Sequence, residues 1–174
     1  ICLEPNPARY GANFMTTSLE TSQMVTQIAH PAIRMQFDTG ALTITFDAST
    51  SKPTIVNMTN HALFNMAGHN APQGAMENRL TMPASAYTPV DETLIPTGEL
   101  RPVKGTVFDF TQGRAIGQDI RDGRDPQIAI GRGYDHNFVL DKGITAQPKL
   151  AAVLEDPSSG RRLEVLTTEP GLQL

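Results

Sequence analysis

The chain has 174 residues, a formal net charge of −4 at neutral pH and a sequence pI near 5.5. No run of Lys or Arg could follow a phosphate backbone, which argues against nucleic acid as a partner, and apolar stretches such as residues 150–154 fall far short of the ~20 residues that a membrane-spanning helix needs. A single cysteine, Cys2, excludes an internal disulfide and fits the reducing cytoplasm, the compartment that we expect, although a cysteine-poor periplasmic protein would have the same composition.

Alternation of apolar and polar residues predicts the first strands. In residues 42–47, Leu42, Ile44 and Phe46 point to one side, as in a half-buried strand. After a turn, residues 54–59 are rich in β-branched side chains and predict a second strand. Shorter extended segments are predicted at residues 79–82, 106–108 and 137–140.

A hairpin and very little helix are predicted for the rest of the chain. Residues 149–155 and 162–168 flank Asp156-Pro157-Ser158-Ser159-Gly160, whose turn-forming residues are typical of a hairpin loop. Since no long segment keeps an apolar stripe at helical spacing, only a short helix at residues 115–120 and a turn at residues 62–66 are expected. The predicted fold class is therefore all-β.

Both ends of the sequence favour a partial chain. Position 1 is Ile rather than Met, and Leu172-Gln173-Leu174 stops within an apolar-polar alternation. We expect one domain over residues 1–174, in which residues 1–35 are the least interpretable part.

Three segments carry motifs in a fixed order. They are VNMTNHALFNMAG at residues 56–68, the pieces YTPVDE, LIPTGE and GTVFDF between residues 87 and 110, and GYDHNFVL at residues 133–140 followed by TTEPGLQ at residues 167–173. In these motifs the chain resembles the aldose 1-epimerases over residues 42–174, although Leu63 stands where that family usually has tyrosine. The resemblance implies an antiparallel β-sandwich of the galactose-mutarotase-like, or supersandwich, type, incomplete here, with a sugar cleft across one sheet.

The resemblance also implies mutarotation, the interconversion of the α and β anomers of a free aldohexose such as galactose or glucose. A base takes the proton of the anomeric hydroxyl and an acid protonates the ring oxygen, so two positioned titratable groups suffice. The resemblance implies His61 as the acid, and an imidazole with an ordinary pKa of ~6.5 suits that role. We expect His61 to follow a strand directly, with Asn57, Asn60 and Asn65 orienting its ring and Asn60 also binding substrate. A surface or capping imidazole is the alternative.

Asp135 and Gln173 correspond to residues with which the family binds sugar hydroxyl groups. The alternatives are an Asx-turn carboxylate at Asp135 and an exposed strand residue at Gln173. Because adjacent residues on a strand point to opposite faces, His136 is expected to support the structure rather than to share the cleft with Asp135. Four further titratable residues are interpreted as loop, capping or surface groups: Asp91 and Glu92, within the second motif, and His30 and His69, outside the motifs.

The general base that the resemblance implies is a glutamate near the family's C-terminus, and this sequence ends before that segment. Ile1-Cys2-Leu3-Glu4 resembles the strand that carries the base, which makes Glu4 the candidate. Arg9, in Ala8-Arg9-Tyr10-Gly11-Ala12-Asn13, resembles the arginine of a sugar-binding segment. Chance similarity is the alternative at both positions.

Two alternatives to the enzyme stay open. The first is a non-catalytic carbohydrate-binding or regulatory remnant of the family that lacks the base. The second is a fragment of a longer gene product that has no function of its own and is stable only as a homo-oligomer that covers its open sheet edges. The sequence contains no His-Glu-x-x-His motif, cysteine pair, Gly-x-Ser-x-Gly motif or phosphate-binding glycine loop. Neither a metal nor another cofactor is therefore expected.

Overall fold

The computed structural model describes residues 35–38, 41–68 and 70–174. These residues belong to two compact units, one that ends at Leu63 and one that spans Phe64–Leu174. Four residues that the sequence singled out lie outside the described residues: Glu4, Arg9, His30 and His69.

The first unit contains an antiparallel pair of strands. β1 (Met35–Asp38) pairs with β2 (Ala41–Ile44), and Met35 lies opposite Ile44. The strand predicted for residues 42–47 is confirmed as far as Ile44, beyond which residues 45–50 have no regular secondary structure.

Residues 54–59 do not form the predicted second strand. They have no regular secondary structure and every one of them is exposed, Ile55 at 99%. β-branched residues favour a strand only where a neighbouring backbone supplies hydrogen bonds and a surface on which the side chains can pack. The exposure of Ile55 indicates that this segment has neither within the described part of the first unit.

The second unit consists mainly of short strands. In chain order they are β3 (Arg79–Thr81), β4 (Ala84–Thr88), β5 (Arg101–Pro102), β6 (Arg114–Ala115), β7 (Asn137–Leu140), β8 (Lys149–Glu155), β9 (Arg162–Thr167) and β10 (Gly171–Gln173). One antiparallel sheet, the β4–β7 sheet, has the order β10-β7-β4-β5, and the other, the β3–β8 sheet, has the order β6-β3-β8-β9. The all-β class is confirmed, as are the strands predicted at residues 79–82, 137–140, 149–155 and 162–168, to within a residue at their ends.

The hairpin of β8 and β9 follows the turn chemistry of its loop. Asp156 Oδ2 accepts hydrogen bonds from the Ser158 hydroxyl at 2.6 Å and from the Ser159 backbone N–H at 2.7 Å. These bonds stabilise the charged carboxylate and hold the pKa of Asp156 below its usual range. The loop therefore returns the chain in register, with Leu154 opposite Leu163.

The described residues contain two helices, and both are short. A 3-10 helix, Ile116–Gln118, lies within residues 115–120, as predicted. The other, α1 (Pro126–Gly131), escapes prediction because six residues are too few to display a helical stripe. Across residues 35–38, 41–68 and 70–174, no helix has the length and apolar character that crossing a membrane requires.

α1 is nevertheless bounded by strong local signals. Asp125 Oδ1 accepts from the backbone N–H groups of Gln127 at 2.8 Å and Ile128 at 3.3 Å, and Pro126 takes the first helical position. Arg132 ends the helix in the left-handed conformation, with φ of 56°. The helix is therefore held by its caps rather than by its length.

Replacing Asp125 by alanine is expected to lower the free energy of unfolding by about 1 kcal/mol, because two backbone N–H groups lose their acceptor. Asp125→Ser is the matched control, since a serine hydroxyl caps a helix about as well as a carboxylate does, and it should retain most of the stability. Urea unfolding followed by circular dichroism measures both variants. An equal loss in the two would contradict a capping role.

One hydrophobic core joins the two sheets of the second unit. Leu80 from the β3–β8 sheet and Phe138 from the β4–β7 sheet belong to the same buried cluster. Within it the rings of Tyr87 and Phe108 stack, with centroids 4.1 Å apart and an angle of 11° between their planes. The two sheets are therefore layers around a shared core, as the resemblance implies for an antiparallel sandwich.

Two loop predictions are corrected by the structure. Residues 106–108 form a turn, not an extended segment: the Thr106 hydroxyl donates to Val103 O at 2.7 Å and accepts from the Phe108 N–H at 3.1 Å. A threonine that bonds to nearby backbone groups competes with strand pairing. The turn predicted at residues 62–66 lies slightly later, where the Gly68 N–H donates to Asn65 O at 3.0 Å.

Candidate functional site

Asp135 and Gln173 meet at one end of the β7–β10 strand pair. Gln173 lies opposite Asn137, and backbone hydrogen bonds of 3.2 Å in both directions continue the pairing to His136 and Leu174. Gln173 Nε2 donates to Asp135 Oδ1 at 2.8 Å, although the two residues are 38 positions apart in the sequence. Both residues are exposed, so hydroxyl groups of a ligand can reach the carboxylate and the amide.

The backbone just before Asp135 is fixed by its two preceding residues. Gly133 is buried with φ of 139°, and a Cβ at this position would lie 3.2 Å from Ile120 Cγ1. The Tyr134 hydroxyl donates to Val107 O at 2.8 Å. Glycine is required here because other residues rarely adopt this φ, and the tyrosine then ties the segment to the loop before β6.

His136 points into the core, away from Asp135, as strand geometry predicts, and its supporting role is confirmed. The side chain is fully buried and lies edge-on to the Phe108 ring, with centroids 4.8 Å apart. The Asp135 backbone N–H donates to His136 Nδ1 at 3.2 Å, so this nitrogen carries no proton. The proton is therefore on Nε2, which lies 3.1 Å from Gln127 Oε1.

Gln127 anchors this histidine, and no sequence motif points to it. Its Oε1 also accepts from the Val90 N–H at 2.7 Å, and its Nε2 donates to Val90 O at 3.0 Å. A buried amide on α1 thus joins the loop after β4 to His136. The one sequence signal is indirect, since the helix start at Asp125-Pro126 sets the direction in which Gln127 points.

Burial lowers the pKa of His136, because a charged imidazolium would lose its hydration, and the carboxylates of Asp135 and Asp125 only partly oppose this shift. In the unfolded chain the histidine pKa is ~6.5. The folded protein binds this proton less tightly than the unfolded chain does. The stability that neutral His136 contributes is therefore complete above about pH 6.5 and is lost as the pH falls through the lower folded pKa.

The free energy of unfolding of the native sequence should accordingly decrease as the pH falls below about 6.5, with His136 contributing a slope of up to ~1.4 kcal/mol per pH unit. His136→Gln lacks a titrating ring, so it should be less stable at neutral pH but should lose that part of the slope. Urea unfolding at several pH values compares the two proteins. Parallel curves would show that His136 does not titrate in this range.

The proposed acid lies in the first unit. His61 and Asn60 are exposed, in a segment without regular secondary structure, so the strand expected directly before His61 is not formed. Asn65 belongs to the second unit, where its Oδ1 accepts from the Ala67 N–H at 3.1 Å and its Nδ2 donates to Gly68 O at 2.9 Å. Both polar groups of the Asn65 amide therefore already have partners in its own turn.

Asp91 is a loop carboxylate, as predicted. Its Oδ1 accepts from the Thr93 hydroxyl at 2.6 Å and from the backbone N–H groups of Thr93 at 2.8 Å and Ile95 at 3.1 Å. These bonds lower the pKa of Asp91 and shape the loop between β4 and β5. Glu92 beside it is exposed.

The second unit also has a polar cavity of about 330 Å³ whose lining includes Asp109 and Arg114 but not Asp135. Asp109 Oδ1 accepts from the Thr111 hydroxyl at 2.6 Å, and Arg114 forms an ion pair with Asp119. Both charged groups of this cavity thus have partners within the unit. In the part of the chain that the structure describes, no three His, Cys, Asp or Glu side chains converge as a metal site requires.

Comparison with known proteins gives a consistent set of relatives. The model of the aldose 1-epimerase family matches residues 30–174. Galactose mutarotase from Mus musculus is 43% identical over 136 residues, which cover 78% of this chain and 37% of that protein. Aldose 1-epimerase from Escherichia coli K12 is 37% identical over 136 residues, which cover 78% of this chain and 38% of that protein.

A solved structure, galactose 1-epimerase from Lactobacillus acidophilus, is similar at 35% identity with a TM-score of 0.47, over 57% of this chain and 27% of that chain. This chain spans 37% of the length of the mouse mutarotase. The family model, in contrast, covers all the residues that the structure describes. By this match, in a region that includes Asp135 and Gln173, the chain belongs to the aldose 1-epimerase family.

Proposed function

We propose that this chain acts as an aldose 1-epimerase, a mutarotase that interconverts the α and β anomers of a free aldohexose such as galactose or glucose. The observation that carries the proposal is the exposed Asp135–Gln173 pair, joined by a hydrogen bond of 2.8 Å at the end of β7 and β10. Relatives that match this region are named galactose mutarotase and aldose 1-epimerase, which supports the same reaction class.

The Asp135–Gln173 pair suits a sugar because it offers both kinds of hydrogen-bonding group. Asp135 Oδ2 can accept from one hydroxyl, while the Gln173 amide can accept through Oε1 and donate through its second N–H. A hydroxyl bound to a carboxylate forms a charge-assisted hydrogen bond, roughly twice as strong as a neutral one. Asn60 and Arg9 are the further sugar-binding residues of the proposal.

In the proposed reaction His61 donates a proton to the ring oxygen while Glu4 removes the proton of the anomeric hydroxyl. The electron pair of that O–H bond forms the carbonyl, and the bond between C1 and the ring oxygen breaks. Rotation about the C1–C2 bond presents the other face of the aldehyde, and the ring closes with both proton transfers reversed. Acid and base assistance typically contribute about 10² to 10⁴-fold.

Polarimetry on freshly dissolved α-D-galactose tests this proposal. The purified chain should shorten the approach to the equilibrium rotation in proportion to its concentration, and α-D-glucose tests the second sugar. The heat-denatured chain is the control for catalysis by buffer or by loose side chains. The spontaneous rate at every protein concentration would overturn the proposed activity.

Sugar binding without catalysis is the second candidate function. It is favoured because Asp135 and Gln173 come together entirely within the second unit, without a contribution from the segment that carries His61. Titration with galactose separates the two candidates. Binding combined with an unchanged mutarotation rate selects the non-catalytic role.

We further propose that residues 1–174 form one domain whose open sheet edges are covered in a homo-oligomer. In the described part of the second unit, the outer strands β5, β6, β9 and β10 each have a neighbour on one side only. Such edges offer backbone groups to another chain. A molecular mass in solution tests the oligomer, and a single cooperative unfolding transition tests the domain.

A further inference from the structure

We propose that His136 is a positioning residue for sugar binding: its unprotonated Nδ1 holds the backbone of Asp135 and thereby aims the Asp135 carboxylate. The role is distinct from the general support expected of a buried side chain, because it assigns one ring nitrogen to one backbone group. It rests on the proposed function, in which Asp135 binds the sugar.

The His136 ring is the acceptor for the backbone N–H of Asp135, the residue directly before it. His136 is itself held in the sheet by two backbone hydrogen bonds with Leu174, each of 3.2 Å. The Asp135 N–H donates to His136 Nδ1 at 3.2 Å. Among the described residues, the other hydrogen bond of Asp135 is the one that its carboxylate accepts from Gln173.

The ring can hold Asp135 because it is itself immobilised. Its Nε2 lies 3.1 Å from Gln127 Oε1, and the Gln127 amide is fixed by two hydrogen bonds to the Val90 backbone. The Tyr87 ring meets the imidazole edge-on, with centroids 5.8 Å apart. On another side, a Cβ at Gly131 would lie 3.1 Å from His136 Cε1, so the histidine fills the space that this glycine leaves.

Only the neutral ring can play this role. A proton on Nδ1 would set two N–H donors against each other, one from the ring and one from Asp135. The titratable groups around the imidazole are the carboxylates of Asp135 and Asp125, which favour the charged ring, and the neutral Tyr87. Burial outweighs the carboxylates and keeps the ring neutral at physiological pH.

Two substitutions distinguish the role of Nδ1 from the role of Nε2. His136→Asn retains an acceptor near Nδ1 but loses the donor to Gln127, whereas His136→Gln retains a donor near Nε2 but loses the acceptor for Asp135. Both remove the aromatic ring, so both should lose similar stability. A merely structural role predicts equal effects on sugar binding, and the positioning role predicts unequal ones.

Titration of the full chain with D-galactose, followed by amide ¹H–¹⁵N NMR, measures this difference. His136→Gln should raise the Kd about tenfold, in line with the loss of one hydrogen bond, while His136→Asn should stay within about threefold of the native sequence. Equal Kd values for the two variants would overturn the positioning role.

The native protein supplies a readout that needs neither variant nor sugar. The Asp135 amide resonance should move as His136 gains a proton in acid, following the same titration curve as the ring protons. If galactose does not bind the native protein, the proposed function fails. The Asp135 amide resonance still tests the hydrogen bond between the Asp135 N–H and His136 Nδ1. If the chemical shift of the Asp135 amide does not change while His136 titrates, the inference is overturned.

Discussion

His61→Ala should lower the mutarotation rate by about 10²- to 10⁴-fold, to near the spontaneous rate, because the ring oxygen loses its proton donor. The proposed reaction requires protonation of that oxygen before the C1–O bond can break. Polarimetry on α-D-galactose gives the rate, and an NMR titration gives the galactose affinity. The affinity should change little, since Asp135 and Gln173 remain intact.

His69→Ala is the matched control, because it removes a histidine from the same stretch of sequence without touching the Asn-His motif. It should keep the native rate. Equal rates for His61→Ala and the native protein would remove His61 from the mechanism, whatever the motif suggests. A loss of galactose affinity in His61→Ala would instead assign His61 to binding.

Asp135→Ala is expected to weaken galactose binding by about 10- to 150-fold, since a hydrogen bond to a charged group contributes about 1.5–3 kcal/mol. Because Gln173 Nε2 donates to Asp135 Oδ1 at 2.8 Å, the two residues act as one unit. Gln173→Ala should therefore weaken binding too, and the double variant should lose less than the sum of the two single losses. The same NMR titration measures all three variants.

Glu92→Gln is the control for this series, because it neutralises an exposed carboxylate of the second unit outside the pair. Its Kd should equal that of the native sequence. Thermal unfolding of each variant checks that the sheet persists. Native affinity in a folded Asp135→Ala protein would exclude Asp135 from the sugar site.

Local patterns predicted much of the second unit. The β8–β9 hairpin could be predicted from the sequence because the residues of its loop form hydrogen bonds with one another, as Asp156 does with Ser158 and Ser159. The opposite directions of the Asp135 and His136 side chains could also be predicted from the sequence, because side chains alternate between neighbouring residues of an extended backbone. The short helix α1 was not predicted, although Asp125 and Pro126 are typical of a helix start. Six residues are too few for the spacing of apolar residues to show helical periodicity.

Strand predictions were wrong where a strand would have needed a partner strand from a distant part of the sequence. Residues 54–59 have strand-forming composition, yet Ile55 is 99% exposed and no strand forms. Residues 106–108 also looked extended, but Thr106 bonds to Val103 and Phe108 and closes a turn. In each case composition measures how well a residue fits a sheet, while the presence of a neighbouring strand depends on the rest of the fold.

The sequence by itself determined the all-β class, the family and the identities of the sugar-binding candidates, because these depend on local alternation and on ordered motifs. Only the tertiary structure decided that Gln173 bonds to Asp135 across 38 positions and that Gln127 holds the buried His136. Both contacts arise from strand register and from the docking of a short helix on the core. Those are set by the summed packing of Tyr87, Phe108, Phe138 and their neighbours, which no single segment encodes.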